Sequence, residues 1–411
     1  MSSLDMPAVT TWPVMRLGEC FAIDSGSAPD HLRHEHGEYP LVGANGEIGR
    51  CQASNFGPGY LVGRVGTAGI INRVLEPVWA SDNTLTMSPN SNCDEDFAYY
   101  LLQFADLKKL TTTTAQPLIT QANVARMEVR LPPLAEQRTI AAVLGRIDTT
   151  IRLTEALIEK LKQVKQGLMH DLLTRGIGAN GELRLPQSQA PNLYKNSSLG
   201  WIPNEWVIEP LDKVARRGSG HTPSRNVPSY WNGGIKWVSL ADSHRLDQIY
   251  ITETDKEVSE LGLKNSSAVR HDAGTVILSR DAGVGKSAIL ASEMAVSQHF
   301  IAWRCGERLN NFYLYFKLQH MKPIFESIAI GSTIKTIGLT FFKKLTIIVP
   351  SRAEQDRAVE VILASEATLT AHSVELAKLR LQRIGLMDDL LTGRVRVTPL
   401  SAEARSLSEL L

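Results

Sequence analysis

The sequence predicts an α+β fold: two mixed α/β domains joined by two long helices that pair as an antiparallel coiled coil, the whole forming a pseudo-twofold internal repeat. Three observations predict it. One stretch occurs twice: LPPLAEQ at Leu131–Gln137 leads to GLMHDLLT at Gly167–Thr174, and VPSRAEQ at Val349–Gln355 leads to GLMDDLLT at Gly385–Thr392. The offset is 218 throughout, and 13 of the 39 positions from Glu136/Glu354 to Thr174/Thr392 are identical. Chance would give roughly two or three, so the stretch is a duplication. Each copy also carries a heptad pattern, and each follows a segment of short β-branched runs separated by glycine and asparagine turns.

The elements follow in order. Residues 1–131 read as the first mixed domain, with strand-like runs at Tyr60–Val65, Ile70–Val74 and Leu85–Met87. The run Asp94–Leu110 predicts a helix, acidic in its first turn and basic in its last. A threonine-rich loop at Thr111–Thr114 and a strand near Val124–Leu131 then deliver the chain to the first long helix, within 132–176.

That helix has a seam. With Ile140 at position a, Ile147, Leu161 and Leu168 continue the a row, while Leu144, Ile151, Ile158 and Leu172 fill d. Shifted by 218, Leu379 and Leu386 stand at a, with Ile362, Leu369, Leu376 and Leu390 at d. The breaks recur at the same places, Thr154 with His372 and Lys165 with Arg383. No proline lies between Pro133 and Pro186 or between Pro350 and Pro399, so each copy can run as one helix, about 58 Å for 39 residues. Gly167 and Gly385 interrupt good helix formers; close helix approach would explain them, and a plain surface position is the alternative.

Residues 177–205 are rich in turn-formers and read as a linker, and residues 206–349 as a second mixed domain. Its plan follows the first. WPVMRLGE at Trp12–Glu19 is answered by WVIEPLDK at Trp206–Lys213, and GYLVGRVGTAG at Gly59–Gly69 by TVILSRDAGVGKS at Thr275–Ser287. TAQPLIT at Thr114–Thr120 aligns with STIKTIG at Ser332–Gly338. The second helix region occupies 350–396, and 397–411 form a C-terminal tail. The domains match weakly while the helices match strongly, which predicts one architecture with two binding specificities.

Composition narrows the classes. The net charge of +1 favours no partner, but residues 1–135 carry 9 basic and 14 acidic side chains whereas 175–350 carry 21 and 15. No apolar run of about 18 residues predicts a membrane span, and MSSLDMPAVT lacks the regions of a signal peptide, so a cytoplasmic protein is expected. Cys20, Cys51, Cys93 and Cys305 show no metal-ligand spacing and are expected to be reduced thiols.

Several motifs are weighed against catalysis. Val284-Gly285-Lys286-Ser287 ends like a phosphate-binding loop, but the position that needs the first glycine is Arg280. A glycine turn between two strands, presenting Arg280, Lys286 and Ser287 outward, is the better reading; the first domain's parallel turn would present Arg64 and Thr67. His31, His34 and His36, with Glu35 and Glu38, lie in a polar loop and are read as solvated or facing nucleic acid rather than as metal ligands. There is no NPPY-like tetrapeptide, no supported nuclease constellation and no helicase motif set, so no catalysis and no bound cofactor are expected of this chain.

The order of parts resembles the DNA-specificity subunit of type I restriction-modification systems. The residues that carry the resemblance are Pro132-Pro133-Leu134-Ala135-Glu136-Gln137, Leu199-Gly200-Trp201-Ile202-Pro203-Asn204-Glu205-Trp206, Gly220-His221-Thr222-Pro223-Ser224 with Tyr230-Trp231, and Gly331-Ser332-Thr333-Ile334. Departures are Ser351-Arg352 in place of a second Pro-Leu and Gln116-Pro117 where the second domain has Ile334-Lys335. The resemblance implies two target-recognition domains, each reading half of a split asymmetric site on double-stranded DNA, with the helices as spacer. It also implies two adenine methyltransferase subunits bringing S-adenosylmethionine, and motor-nuclease subunits bringing ATP and magnesium.

Lysines and arginines of the domain loops would then hold phosphates while polar side chains read base edges. The candidates are Arg50, Arg64, Thr67 and Arg73 in the first domain. In the second they are Arg216, Arg217, Thr222, Ser224, Arg225, Arg280, Lys286 and Lys335. The competing classes are a coiled-coil scaffold that reads no DNA sequence and a nucleotide hydrolase at Gly283–Ser287.

Overall fold

In the computed structural model the described residues are 12–112, 118–331 and 335–397. Gln116-Pro117, Ser332-Thr333-Ile334, the second half of the threonine-rich loop, the first residues and nearly all of the tail lie outside them. The chain divides into two compact units, Met1–Leu157 with His372–Leu411, and Ile158–Ala371. Each unit contains one mixed domain and one half of each long helix.

In the first unit an antiparallel four-stranded sheet runs in the spatial order Phe21–Ser25, Thr84–Pro89, Gly59–Gly63, Ile71–Val74. A three-stranded sheet, Gly46–Cys51, Tyr39–Gly43, Trp79–Ala80, adjoins it in sequence. The helix Glu95–Ala105 starts where expected because Asp94 caps it, its carboxylate accepting from the Asp96 and Phe97 amides. It ends at Asp106, which takes the left-handed conformation at φ 48° and gives way to a short 3₁₀ turn, Leu107–Leu110. Phe97, Leu101 and Leu102 bury its inner face against Tyr60, Leu85 and Met87.

One local expectation is corrected. Gln121–Arg126 is helical, capped by Thr120, and only Glu128–Arg130 is strand. Thr120 supplies an N-cap that outweighs the β-branched Val124. The strand pairs with Val14–Arg16 and so anchors the entry to the long helix.

The second unit repeats this plan with additions. Its larger sheet runs Ala215–Ser219, Phe300–Cys305, Val276–Ser279, Ser287–Leu290, Tyr250–Ile251, and its smaller one Lys256–Val258, Trp231–Val238, Met294–Val296, Arg270–His271. Val207–Pro210 pairs with Thr346–Val349 as Val14–Arg16 pairs with Glu128–Arg130. The segment read as a linker carries a hairpin of its own, Tyr194–Ser197 with Gly200–Pro203.

The long helices span Leu134–Thr174 and Arg352–Leu391, each unbroken. In the first unit Asp148 pairs with Arg383 and Glu155 with Arg380, so the two halves run in opposite directions. In the second unit Lys165 pairs with Glu366. This is the same pair at the 218 offset with the roles exchanged: 383 corresponds to 165 and 148 to 366. All fourteen seam residues named above are buried or half-buried, whereas Leu153, Val164, Val374, Leu381 and Ile384, which lie off the seam, are more than half exposed. A Cβ at Gly167 or Gly385 would meet nothing within 4 Å among the described residues, so these are surface positions and not close approaches.

The foot of each helix is fixed by the Glu-Gln pair of the repeated motif. Gln137 donates to the carbonyls of Asn92 and Pro132 and accepts from the Asp94 amide; Gln355 does the same with Arg308, Pro350 and Asn310. Glu136 accepts from the Trp12 indole and from Arg396, whose guanidinium lies over that indole. Glu354 accepts likewise from the Trp206 indole and Arg184. In the second unit the other end of the first long helix is met by Lys317, whose Nζ donates to the Leu173 carbonyl and whose pKa burial pushes down to about 8.

Candidate nucleic-acid interface

The two glycine turns are built on one backbone framework. In the first unit the Arg64 amide donates to the Asn83 carbonyl, the Ile119 amide to the Arg64 carbonyl, and the Gly69 amide to the Gly63 carbonyl. In the second the Arg280 amide donates to the His299 carbonyl, the Ile337 amide to the Arg280 carbonyl, and the Gly285 amide to the Ser279 carbonyl. A further glycine belongs to each framework. A Cβ at Gly26 would overlap the Ser81 carbonyl, and one at Gly220 the Val296 carbonyl, so only glycine lets these loops pass beside the sheet.

Side chains on the shared framework differ. Positions 64 and 280 are both arginine, half-buried, each with an Nε that has no hydrogen-bond partner. Position 83 is asparagine and 299 histidine; 82 is aspartate and 298 glutamine; 65 is valine and 281 aspartate. In the second unit these groups form a connected polar patch. Thr222 Oγ1 donates to Gln298 Oε1 (2.6 Å), Asp281 Oδ2 lies 2.8 Å from His299 Nδ1, and Arg280 Nε is 3.6 Å from Asp281 Oδ1. Backbone bonds join Asp281 to Thr336 and the Ala282 amide to the Lys335 carbonyl, so exposed Lys335 stands beside the turn.

The expected residues are therefore only partly brought together. Thr222, Arg280 and Lys335 share the patch, and exposed Ser224 and Arg225 continue its loop, where the Trp231 indole holds the Ser224 carbonyl. Arg216 and Arg217 lie further back on the strand Ala215–Ser219; Arg216 is exposed and Arg217 pairs with Asp212 at 3.3 Å. In the first unit Thr67 is exposed at the turn, Arg73 pairs with Asp96 at 2.7 Å, and Arg50 donates to the Gly37 and Glu38 carbonyls of its own loop. The outward reading of the second turn is corrected. Ser287 is fully buried, its hydroxyl accepting from Gln319, and Lys286 Nζ donates to the Ser243 carbonyl, because Ser287 opens a strand inside the sheet.

Ser287–Leu290 is strand rather than the helix a phosphate-binding loop needs. His34 Nδ1 accepts from the His36 amide, and among the described residues no group of three or more His, Cys, Asp or Glu side chains could hold a metal. The arrangement offers hydrogen-bond donors and acceptors on rigid turns. Asn83, Gln298, His299 and Asp281 were not singled out from the sequence, although 82–83 and 298–299 stand at one offset of 216 from each other, as do 64 and 280.

The type I restriction modification DNA specificity domain family matches at residues 10–163 and again at 203–379, together most of the chain. The chain belongs to this family. Among the relatives of this specificity-domain chain, the MjaVIII type I restriction enzyme specificity subunit of Methanocaldococcus jannaschii is 23% identical over 324 residues, covering 76% of this chain and 73% of that protein. The MjaIX specificity subunit of the same organism is 28% identical over 171 residues, 41% and 40% of the two chains. A solved S subunit of a type I restriction-modification system from M. genitalium shares the fold, with a TM-score of 0.57 at 16% identity over 94% of this chain and 98% of that one. The two matched stretches each contain one glycine-turn framework, so the specificity domain is present twice.

Proposed function

We propose that this chain is the sequence-specific DNA-binding subunit of a type I restriction-modification complex, each domain reading one half of a bipartite, asymmetric site. One observation carries the reading: two turns share every framework hydrogen bond described above and differ in the side chains they carry. Duplicated scaffolds with diverged contact residues are what two unlike half-sites require. The subunit is not itself catalytic. It directs adenine methylation or restriction by its partners.

The domains are 1–131 and 206–349, with spacer helices in 132–176 and 350–396. Ile140 to Leu172 and Ile362 to Leu390 form the seam of an antiparallel coiled coil with pseudo-twofold symmetry, supported by the Asp148–Arg383 and Lys165–Glu366 pairs. The partners are double-stranded DNA, two methyltransferase subunits carrying S-adenosylmethionine, and motor-nuclease subunits carrying ATP and magnesium, in the cytoplasm. Apolar side chains left open on the helices, Leu153, Leu381 and Ile384 among them, are surface that a methyltransferase subunit would cover.

Mapping methylated adenines across a genome tests the reading, in cells with this chain and its methyltransferase against cells lacking only the chain. A split motif present only with the chain is expected. An unchanged map with an active methyltransferase would leave the scaffold.

A further inference from the structure

Resting on that reading, we propose that His299 in the second domain and Asn83 at the equivalent position in the first are base-reading residues, each deciding one base pair of its half-site. Both sit where the framework presents a residue next to the conserved-geometry arginine: the Arg64 amide holds the Asn83 carbonyl at 3.0 Å and the Arg280 amide holds the His299 carbonyl at 2.9 Å. The backbone is thereby fixed while the side chain stays accessible, exposed for Asn83 and about one-third exposed for His299.

The imidazole is oriented as well as placed. Asp281 Oδ2 lies 2.8 Å from His299 Nδ1, and a carboxylate can only accept, so Nδ1 carries the proton. Nε2 is then an acceptor in the neutral ring, directed away from Asp281 and 3.5 Å from Gln298 Nε2. Gln298 is itself held by Thr222. An oriented acceptor matches the exocyclic amine that adenine or cytosine presents in the major groove, whereas the Asn83 amide offers a donor and an acceptor together and matches adenine N6 and N7.

A second observation points to a ligand at the same place. Arg280 Nε and Arg64 Nε, at equivalent positions, are buried and without hydrogen-bond partners; in the second domain Asp281 Oδ1 faces Arg280 Nε at 3.6 Å, an ion pair beyond hydrogen-bond reach. Polar groups left open at equivalent positions of two diverged domains are those a bound duplex, or its ordered water, would satisfy.

The test uses the full chain with its methyltransferase subunits and the methylation map as readout, comparing wild type, Asn83→Ala, His299→Ala and His299→Gln. His299→Ala should make one base pair of one half-site degenerate, a loss of about 5- to 150-fold in discrimination there, with the other half-site unchanged. Asn83→Ala should do the same to the opposite half-site. His299→Gln, which keeps a hydrogen-bonding group, should alter base choice at the same position and guards against a variant that fails to fold. Unchanged motifs in all three variants, or equal loss in both half-sites, would overturn the inference while leaving the proposed function standing. Absence of a split motif with the wild-type chain would instead overturn the proposed function.

Discussion

Glu136 and Glu354 show what the repeated motif is for. Each carboxylate is almost wholly buried and accepts from an indole N–H and a guanidinium, and Glu354 accepts from the Ile177 amide as well. The two sites are not equal, because Arg184 is 10% exposed and Arg396 is 35% exposed. Glu354→Ala should cost about 3–5 kcal/mol in urea unfolding, since it takes the close carboxylate from a buried arginine and leaves the buried Trp206 indole N–H and the Ile177 amide without their acceptor. Glu136→Ala should cost less, on the order of 1–3 kcal/mol, because Arg396 can turn to water. Equal losses would contradict this difference between the two sites. The sequence showed the Glu-Gln pairs and the aligned tryptophans, but Arg184 and Arg396 fall at an offset of 212 rather than 218, and no spacing rule points to them. Asn83 and His299 were hidden for a related reason: their positions acquire meaning only from backbone bonds to residues far away in sequence.

The long helices were the most legible elements. Their period, their proline boundaries and their mirrored polar breaks are all local signals, and the helices run Leu134–Thr174 and Arg352–Leu391 as one piece each. Two of the breaks proved to be halves of ion pairs, Lys165 with Glu366 and Arg383 with Asp148. Gly167 and Gly385 have open space where a Cβ would stand. Gly167→Ala and Gly385→Ala should each raise stability by about 0.5–1 kcal/mol in chemical denaturation. A loss would mean that these positions are packed against a neighbour after all. Short elements were harder. The sequence places Val124–Arg126, the second half of the helix Gln121–Arg126, in a strand because a six-residue helix has no period to display, and its cap outweighs its propensity. The outward reading of Ser287 failed because a turn beside a strand gives no sequence sign of where burial begins.

At the scale of the whole molecule the duplication was legible and the domain chemistry was not. Repeats announce themselves by identity, and the helices have kept theirs because both copies must satisfy the same packing. The domains have kept a backbone framework while exchanging the side chains it presents, so identity fades there. A chain with two unlike domains on a pseudo-twofold element should read an asymmetric site, and one with two like domains a palindromic one, since the symmetry of a site follows the symmetry of its reader. The direct measurement is the methylation map produced by a chain in which residues 12–131 are replaced by 206–349, supplied with the same methyltransferase subunits. The expected product is a split palindrome made of one original half-site and its inverted copy, at the original gap. Persistence of the original asymmetric motif, or methylation without a motif while the protein remains folded, would contradict it.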